Sequence, residues 1–597
     1  MKKWYKYIKP YLPYFIIGPL CMIVEVVGEV LMPKFLANII DYGTGAQDIE
    51  NASEAIKKIY AFAGDKSPFV IAIMLCMVIT AVLMMLGGVG GAYFGAKASV
   101  NFAADLREDI YRQVQKFSFA DIDKFSTGSL VTRLTNDVTQ LQNFINMVLR
   151  MCLRSPGMLI GGIIMAVVVN PGLTAVLAVS LPLLAVAIFF IMKTAFPRFS
   201  VQQEKLDNLN STVQENVTNV RVVKSFVRED FETEKFRQAN ALYKTAGINS
   251  MKVMILMSPV MTFFMNATTI AVYWIGGNML VNNTMSTGNL TAFITYITQI
   301  LMSLMMISMV FITASRATAS GKRIREVLDE EVDIDDVEIS EEDAARKISS
   351  GEIEFRNVSF RYYKTSDEKV LSDINLKIPA GATVGIIGST GAGKSTLVSL
   401  IARLYDADEG EILIDGADVR DYTLYNLREG IGFVLQKNTL FSGSIEDNLR
   451  WGDSDATEEE IKKYASIAQA DQFVSQFSDG YNTMLDQGAT NISGGQKQRL
   501  CIARALIKKP KILVLDDSTS AVDTATEAKI RKALSGMLSD STVIIIAQRI
   551  SSVKDADMIV VMNEGRITGT GTHSELLSGN EEYREIYYSQ ADGKEDA

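Results

Sequence analysis

The chain carries a single histidine, His573, among 597 residues. That scarcity argues strongly against chemistry built on a histidine base and against a histidine-rich metal site. Four cysteines, Cys21, Cys76, Cys152 and Cys501, lie too far apart in sequence to read as a disulfide framework or a zinc motif. A basic surplus is also missing: the formal net charge is −10, which argues against a nucleic-acid partner. The first apolar run is long and is not followed by a small-residue cleavage site, so it is expected to be retained as a membrane segment.

What the chain has instead is long apolar runs, all within its first 320 residues or so. It is 48% hydrophobic, with a mean hydropathy of +0.15. Six segments are long enough to cross a bilayer core as helices, at roughly 14–39, 68–96, 143–169, 172–195, 251–281 and 289–315. Residues 1–13, with Lys2, Lys3, Lys6 and Lys9 among aromatics, read as an interfacial helix on the cytoplasmic leaflet. Two long, charged, helix-patterned loops, about 97–142 and 196–250, lie on that same side, which places both chain ends in the cytoplasm. Each contains a turn-like segment, Phe119–Gly128 and Glu215–Phe226, read as a docking element or as a plain charged hairpin. The expected organisation is an interfacial helix (1–13), a six-helix all-α transmembrane domain with long cytoplasmic helical extensions (14–316), a linker (317–350) and an α/β P-loop nucleotide-binding domain (351–597).

The chemistry lies in that last domain. Gly388, Ser389, Thr390, Gly391, Ala392, Gly393, Lys394, Ser395 and Thr396 fit G-x-x-x-x-G-K-[ST] between an apolar strand and a helix. Glycines let backbone N–H groups approach phosphates, and a helix N-terminus favours negative charge. Lys394 is positioned for the terminal phosphates and Ser395 for Mg²⁺. An apolar strand, Ile512–Asp516, ends in a second Mg²⁺-holding candidate, Asp516, followed at once by Asp517. Ser493, Gly494, Gly495 and Gln496 form a Ser-Gly-Gly turn that opens a helix, another anion-favouring arrangement.

Together these motifs resemble the ATP-binding cassette family, and six membrane segments ahead of the cassette resemble an exporter half-transporter. The resemblance covers essentially the whole chain and implies ATP and Mg²⁺ as cofactors. It also implies roles for further residues. Tyr362 matches the aromatic that stacks on adenine, Gln436 the glutamine that touches Mg²⁺ and the attacking water, and Asp523, at the end of Ser520–Asp523, the loop that crosses to a partner's site. His573 falls in a common tail motif with a structural role.

Two positions depart from the family pattern. Asp517 stands where a catalytic glutamate is usual, drawing the carboxylate back by roughly 1–1.5 Å, and a misplacement of ~1 Å can cost ~100-fold. Gln548 stands at the switch histidine and cannot exchange a proton near neutral pH. Both weaken hydrolysis at one site, while the Ser493 signature is intact. The resemblance therefore implies the degenerate-site subunit of a bacterial heterodimeric multidrug exporter in the cell membrane. Its partner would be a second, different half-transporter, whose competent site the signature completes. Lipid or peptide export by the same architecture, and a largely non-hydrolytic regulatory subunit, are the alternatives.

Substrate is less legible. Glu25 and Glu29 share one face of the first membrane segment. A carboxylate there needs a cavity or a partner. The pair reads either as an acidic patch for cationic amphiphiles or as a buried pair held by neighbouring helices. Arg150 and Arg154, at the cytoplasmic edge of segment three, are expected to snorkel.

Overall fold

The computed structural model describes residues 2–336, 343, 345–363, 368–517, 523–537 and 540–592. Part of the expected linker, and Ser520–Val522 of the crossing loop, lie outside these residues. The chain divides into two compact units, one of residues 1–114 and 128–329, the other of 115–127 and 330–597.

In the first unit, six helices among the described residues are long and apolar enough to cross a membrane: Trp4–Gly43, Lys66–Lys116, Thr127–Val169, Pro171–Thr218, Glu229–Val281 and Thr287–Ile307. They outrun the apolar segments because helical sequence continues past the hydrophobic stretch. Lys66–Lys116 runs unbroken for 51 residues, roughly 75 Å at 1.5 Å per residue, against a bilayer core of about 30 Å. Small residues let its neighbour approach closely. A Cβ on Gly87 would sit 2.7 Å from the Cys21 carbonyl oxygen, so nothing larger than glycine fits that crossing.

Pro33 lies inside the first membrane helix, Leu12–Asn38, which continues through it. Proline has no N–H, so the carbonyl of Glu29, four residues back, loses its helical donor. Gln299 Nε2 donates to that carbonyl at 3.0 Å, and the Tyr296 hydroxyl donates to the adjacent Val30 carbonyl at 2.9 Å. Both side chains come from the last membrane helix, Thr287–Leu328. Toward the end of the first helix, buried Asp41 accepts from the Ser286 hydroxyl at 2.6 Å and from the Gly288 N–H at 2.7 Å.

The second unit is an α/β domain. Its main sheet has the strand order Arg566–Gly571, Met558–Asn563, Thr383–Gly388, Thr542–Ile546, Ile512–Asp516, Ile431–Val434, and only the first of these runs antiparallel to its neighbour. Two adjacent inner strands, Ile512–Asp516 and Thr542–Ile546, are buried along their whole length, as near-continuous β-branched and leucine sequence demands. A four-stranded antiparallel sheet, ordered Leu371–Ile378, Ile353–Phe360, Glu409–Ile414, Ala417–Asp418, flanks it.

The first docking candidate belongs to this second unit. Phe119–Phe125 is a short helix closed by a reciprocal cap, with Ser118 Oγ accepting from the Asp121 N–H and the Asp121 carboxylate accepting from the Ser118 N–H. Asp123 accepts from the Tyr405 hydroxyl at 3.1 Å, the Phe119 and Tyr405 rings lie 6.0 Å apart, and Lys124 pairs with Glu330. Burial, then the neighbouring Asp123, pushes the Tyr405 hydroxyl above the usual tyrosine range. The second candidate contains the helix Val220–Ser225 in the membrane unit, followed by Phe226 and Val227 at 73% and 80% exposure.

Candidate nucleotide site

Parallel strands place their carboxyl ends on one edge of the sheet, where ligands of open α/β sheets bind. Here that edge presents Gly388, Asp516 and Ile546 at the ends of three adjacent strands, with Asp516 opposite Ile546 in register. The loop after Gly388 turns through left-handed glycines, Gly391 at φ +87° and Gly393 at φ +89°. At Gly393 a Cβ would also meet a Leu371 methyl at 2.7 Å, so both conformation and space require glycine. Helix Lys394–Ile401 begins immediately after.

A cavity of about 740 Å³ opens at this edge. Its lining includes the whole stretch from Gly388 to Thr396, together with Tyr362, Gln436, Asp516, Asp517 and Gln548. The residues expected to hold one nucleotide are thus brought together, although they span nearly two hundred positions. Lys394 Nζ donates to the Gly388 and Ser389 carbonyls at 2.9 and 2.7 Å, at the crown of the loop. Burial lowers its pKa, with Asp517 and Asp516 opposing that shift. The Ser395 hydroxyl donates to Asp516 Oδ1 at 2.9 Å. Burial raises the Asp516 carboxyl, while this hydrogen bond pulls it back down. Hydroxyl, carboxylate and the Gln436 amide form an all-oxygen donor set of the kind Mg²⁺ takes. The Tyr362 hydroxyl is 2.9 Å from Thr396 Oγ1, and its ring packs edge-on against Phe360 and Tyr405.

The two departures from the family pattern meet. Gln548 Nε2 donates to Asp517 Oδ2 at 2.7 Å. Asp517 takes a left-handed backbone, φ +45°, and its N–H donates to the Ile546 carbonyl at 3.2 Å. Burial raises its carboxyl, opposed by the Gln548 bond and by Lys394. The shortened acid and the non-titrating amide therefore form one hydrogen-bonded pair.

Ser493, Gly494, Gly495 and Gln496 do not line this cavity. They open helix Gly494–Ile507 at the surface, with Ser493 as N-cap: its Oγ accepts from the Gln496 N–H at 3.3 Å, and Gln496 Oε1 accepts from the Ser493 N–H at 2.8 Å. Asp523 is exposed and accepts from the Thr526 N–H at 2.9 Å. His573 Nδ1 lies 2.7 Å from the Tyr583 hydroxyl, bonding two C-terminal helices.

Glu25 and Glu29, in the membrane unit, share one guanidinium. Arg154 Nη2 is 3.2 Å from Glu25 Oε1 and 2.7 Å from Glu29 Oε1. This corrects the expectation that Arg154 snorkels. A helix break at Cys152–Leu153 starts a new helix at Arg154, and the guanidinium turns inward to the two acids rather than out to the interface. No spacing rule could have found this partner, because it comes from another helix 125 positions away in sequence.

The fold and site define a membrane-embedded helical domain joined to a phosphate-loop nucleotide-binding domain. Comparison with known proteins agrees: residues 15–304 match the ABC transporter transmembrane region and residues 371–520 the ABC transporter domain. YfiB, an uncharacterized ABC transporter ATP-binding protein of Bacillus subtilis, is 37% identical over 590 residues, covering 99% of this chain and 98% of that one. An ATP-dependent lipid A-core flippase of Desulfotalea psychrophila is 35% identical over 487 residues, covering 81% and 84%. The solved structure of a bacterial Atm1-family ABC exporter with ATP bound superposes with a TM-score of 0.75 at 25% identity, covering 97% of this chain and 98% of its own. The chain belongs to the ABC transporter family. It is an exporter half-transporter, with its membrane region and transport-ATPase cassette in one polypeptide.

Proposed function

We propose that this chain is the hydrolysis-impaired half of a heterodimeric exporter of hydrophobic or amphiphilic compounds. It would act in a bacterial plasma membrane with both termini cytoplasmic. The observation that carries the reading is the Asp517–Gln548 pair. A carboxylate one methylene short of the usual reach is held 2.7 Å from an amide that cannot relay a proton. Lys394 and the loop N–H groups bind the phosphates of ATP, and Tyr362 offers its ring to the base. Ser395, Asp516 and Gln436 would hold Mg²⁺, which supplies charge neutralisation between the phosphates. Ser493–Gln496, capped and exposed outside the chain's own cavity, suits the phosphates of a nucleotide on the partner's cassette. Asp523 lies on the crossing loop. In the same reading, the exposed Phe226 and Val227 dock the second cytoplasmic element on the partner, while Phe119–Phe125 serves the chain's own cassette.

The Arg154 pairing matches the expectation of a pair held by neighbouring helices; what supports a cationic amphiphile as substrate is that one guanidinium faces two carboxyl groups and offsets only one carboxylate charge. Lipid export is the second reading, favoured by the similarity to a lipid A-core flippase.

The test is ATP hydrolysis by the purified chain, alone and with its partner half-transporter. The chain alone is expected to hydrolyse slowly, and the pair to hydrolyse at a rate insensitive to Asp517→Ala. Vigorous hydrolysis by the chain alone, abolished by Asp517→Ala, overturns the impaired-site reading.

A further inference from the structure

The nucleotide cavity has a wall that none of the motifs supplies. Glu582, Glu585, Ile586 and Gln590, on the C-terminal helix Glu581–Asp592, line it beside the phosphate loop and Gln548. Gln590 makes two hydrogen bonds through one amide. Its Nε2 donates to the Gln548 carbonyl at 2.8 Å, and its Oε1 accepts from the Ile550 N–H at 2.9 Å. A primary amide that donates to residue i and accepts from residue i+2 of an extended segment imitates a strand partner. Here the bracketed residue, Arg549, has the extended backbone this requires (φ −105°, ψ 130°). The segment is the one that carries Gln548 out of the buried strand Thr542–Ile546 and toward Asp517.

The helix that holds Gln590 is itself fixed. Asn563 Nδ2 donates to Glu582 Oε1 at 2.9 Å, and the Thr568 hydroxyl donates to the other carboxylate oxygen. Fully buried Tyr583 bonds His573. From the other side, Arg531 Nη1 donates to the Ser551 carbonyl at 2.7 Å. The main chain after Gln548 is thus gripped by two helices, and only Gln590 touches the backbone of Gln548 itself among the side-chain bonds described.

We propose that Gln590 is a positioning residue of the nucleotide site: its amide clamp on Gln548 and Ile550 fixes the backbone from which the Gln548 side chain reaches the γ-phosphate of ATP. A side chain at the end of a strand is aimed by its own main chain, and a displacement of ~1 Å is enough to lose a hydrogen bond. The clamp therefore acts on the terminal phosphate and leaves the phosphate-loop contacts to the inner phosphates untouched. The inference rests on the reading of the site above, extended to take Gln548, at the switch-histidine position and on the cavity wall, as a side chain that meets the γ-phosphate.

The test uses the full-length chain in detergent with Mg²⁺, measuring displacement of a fluorescent nucleotide by ATP and, separately, by ADP. Gln590→Ala is expected to weaken ATP about three- to tenfold, the loss of one hydrogen bond, with ADP unchanged within about twofold. Gln590→Met keeps the length of the side chain without adding charge to the cavity wall but can make neither bond, and should show the same ATP-selective loss. It also serves if the alanine variant fails to fold. Gln548→Ala is the reference, expected to match both. If Gln548→Ala loses ATP selectively and neither Gln590 variant does, the clamp proposal is overturned while the site reading stands. Parallel losses for ATP and ADP in the Gln590 variants reduce Gln590 to a fold-stabilising contact and also overturn it. An unchanged ATP-to-ADP ratio in Gln548→Ala overturns the role of Gln548 and the proposal together.

Discussion

Replacing Arg154 by leucine is expected to destabilise the membrane unit by about 3–5 kcal/mol, because it leaves two buried carboxyl groups without their cation. Glu25 and Glu29 present side chains only 14% and 21% exposed, and Arg154 is the one group paired with both among the ion pairs described. The cost lies mainly in the acids left behind. The triple variant Glu25→Gln/Glu29→Gln/Arg154→Leu should recover most of the loss, since neutral amides pay no comparable desolvation cost and can bond one another. Thermal unfolding in detergent separates the outcomes. A single variant as stable as the parent would show that the guanidinium does not hold these helices together. The double variant Glu25→Gln/Glu29→Gln answers a different question when assayed with a panel of cationic dyes. Transport at the parental rate would remove the two acids from any part in substrate recognition.

The second large effect concerns chemistry. Asp517→Glu extends the carboxylate by one methylene, and Gln548→His supplies a group that titrates near neutral pH. Together they are expected to raise ATP turnover at this site by up to ~100-fold, the scale on which reach of about 1 Å affects a general base. Either change alone should achieve less, because each leaves a misfit in the pair that now closes at 2.7 Å. The clean measurement is single-site turnover, with the partner's phosphate-loop lysine replaced so that only this site contributes. Turnover that stays at the parental level in the double variant would mean that reach and proton exchange do not limit the site.

Much of the site was legible because its chemistry is local. A glycine-rich turn between strand and helix, an apolar strand ending in acid, and a capped Ser-Gly-Gly helix start each carry their function within a few consecutive residues. The first two are assembled around one cavity by the parallel sheet, which brings the ends of distant strands to one edge, while the Ser-Gly-Gly start lies outside it. The six spans were legible for the same reason, because bilayer thickness sets the length of an apolar run. What stayed hidden were contacts between side chains far apart in sequence. Arg154 looked like an interfacial cation because nothing in its own neighbourhood names Glu25 or Glu29. Gln590 sits in an ordinary amphipathic helix and matches no motif. Gln299 gains its meaning only from Pro33, more than 260 positions earlier. Tertiary partners of this kind are set by packing, which periodicity does not encode.

A proline inside a transmembrane helix is usually a place where the helix can bend on its own. Here it cannot do so freely. The freed carbonyl of Glu29 and its neighbour at Val30 are sewn to Gln299 and Tyr296, and Asp41 ties a second point to Ser286 and Gly288. The last membrane helix is continuous from Thr287 to Leu328, a rod of roughly 60 Å at 1.5 Å per residue. Rod and proline-bearing helix are thus tied at two levels, so that a push or twist on the far end of the rod is carried to the level of Pro33, about one turn from Glu29 and two from Glu25.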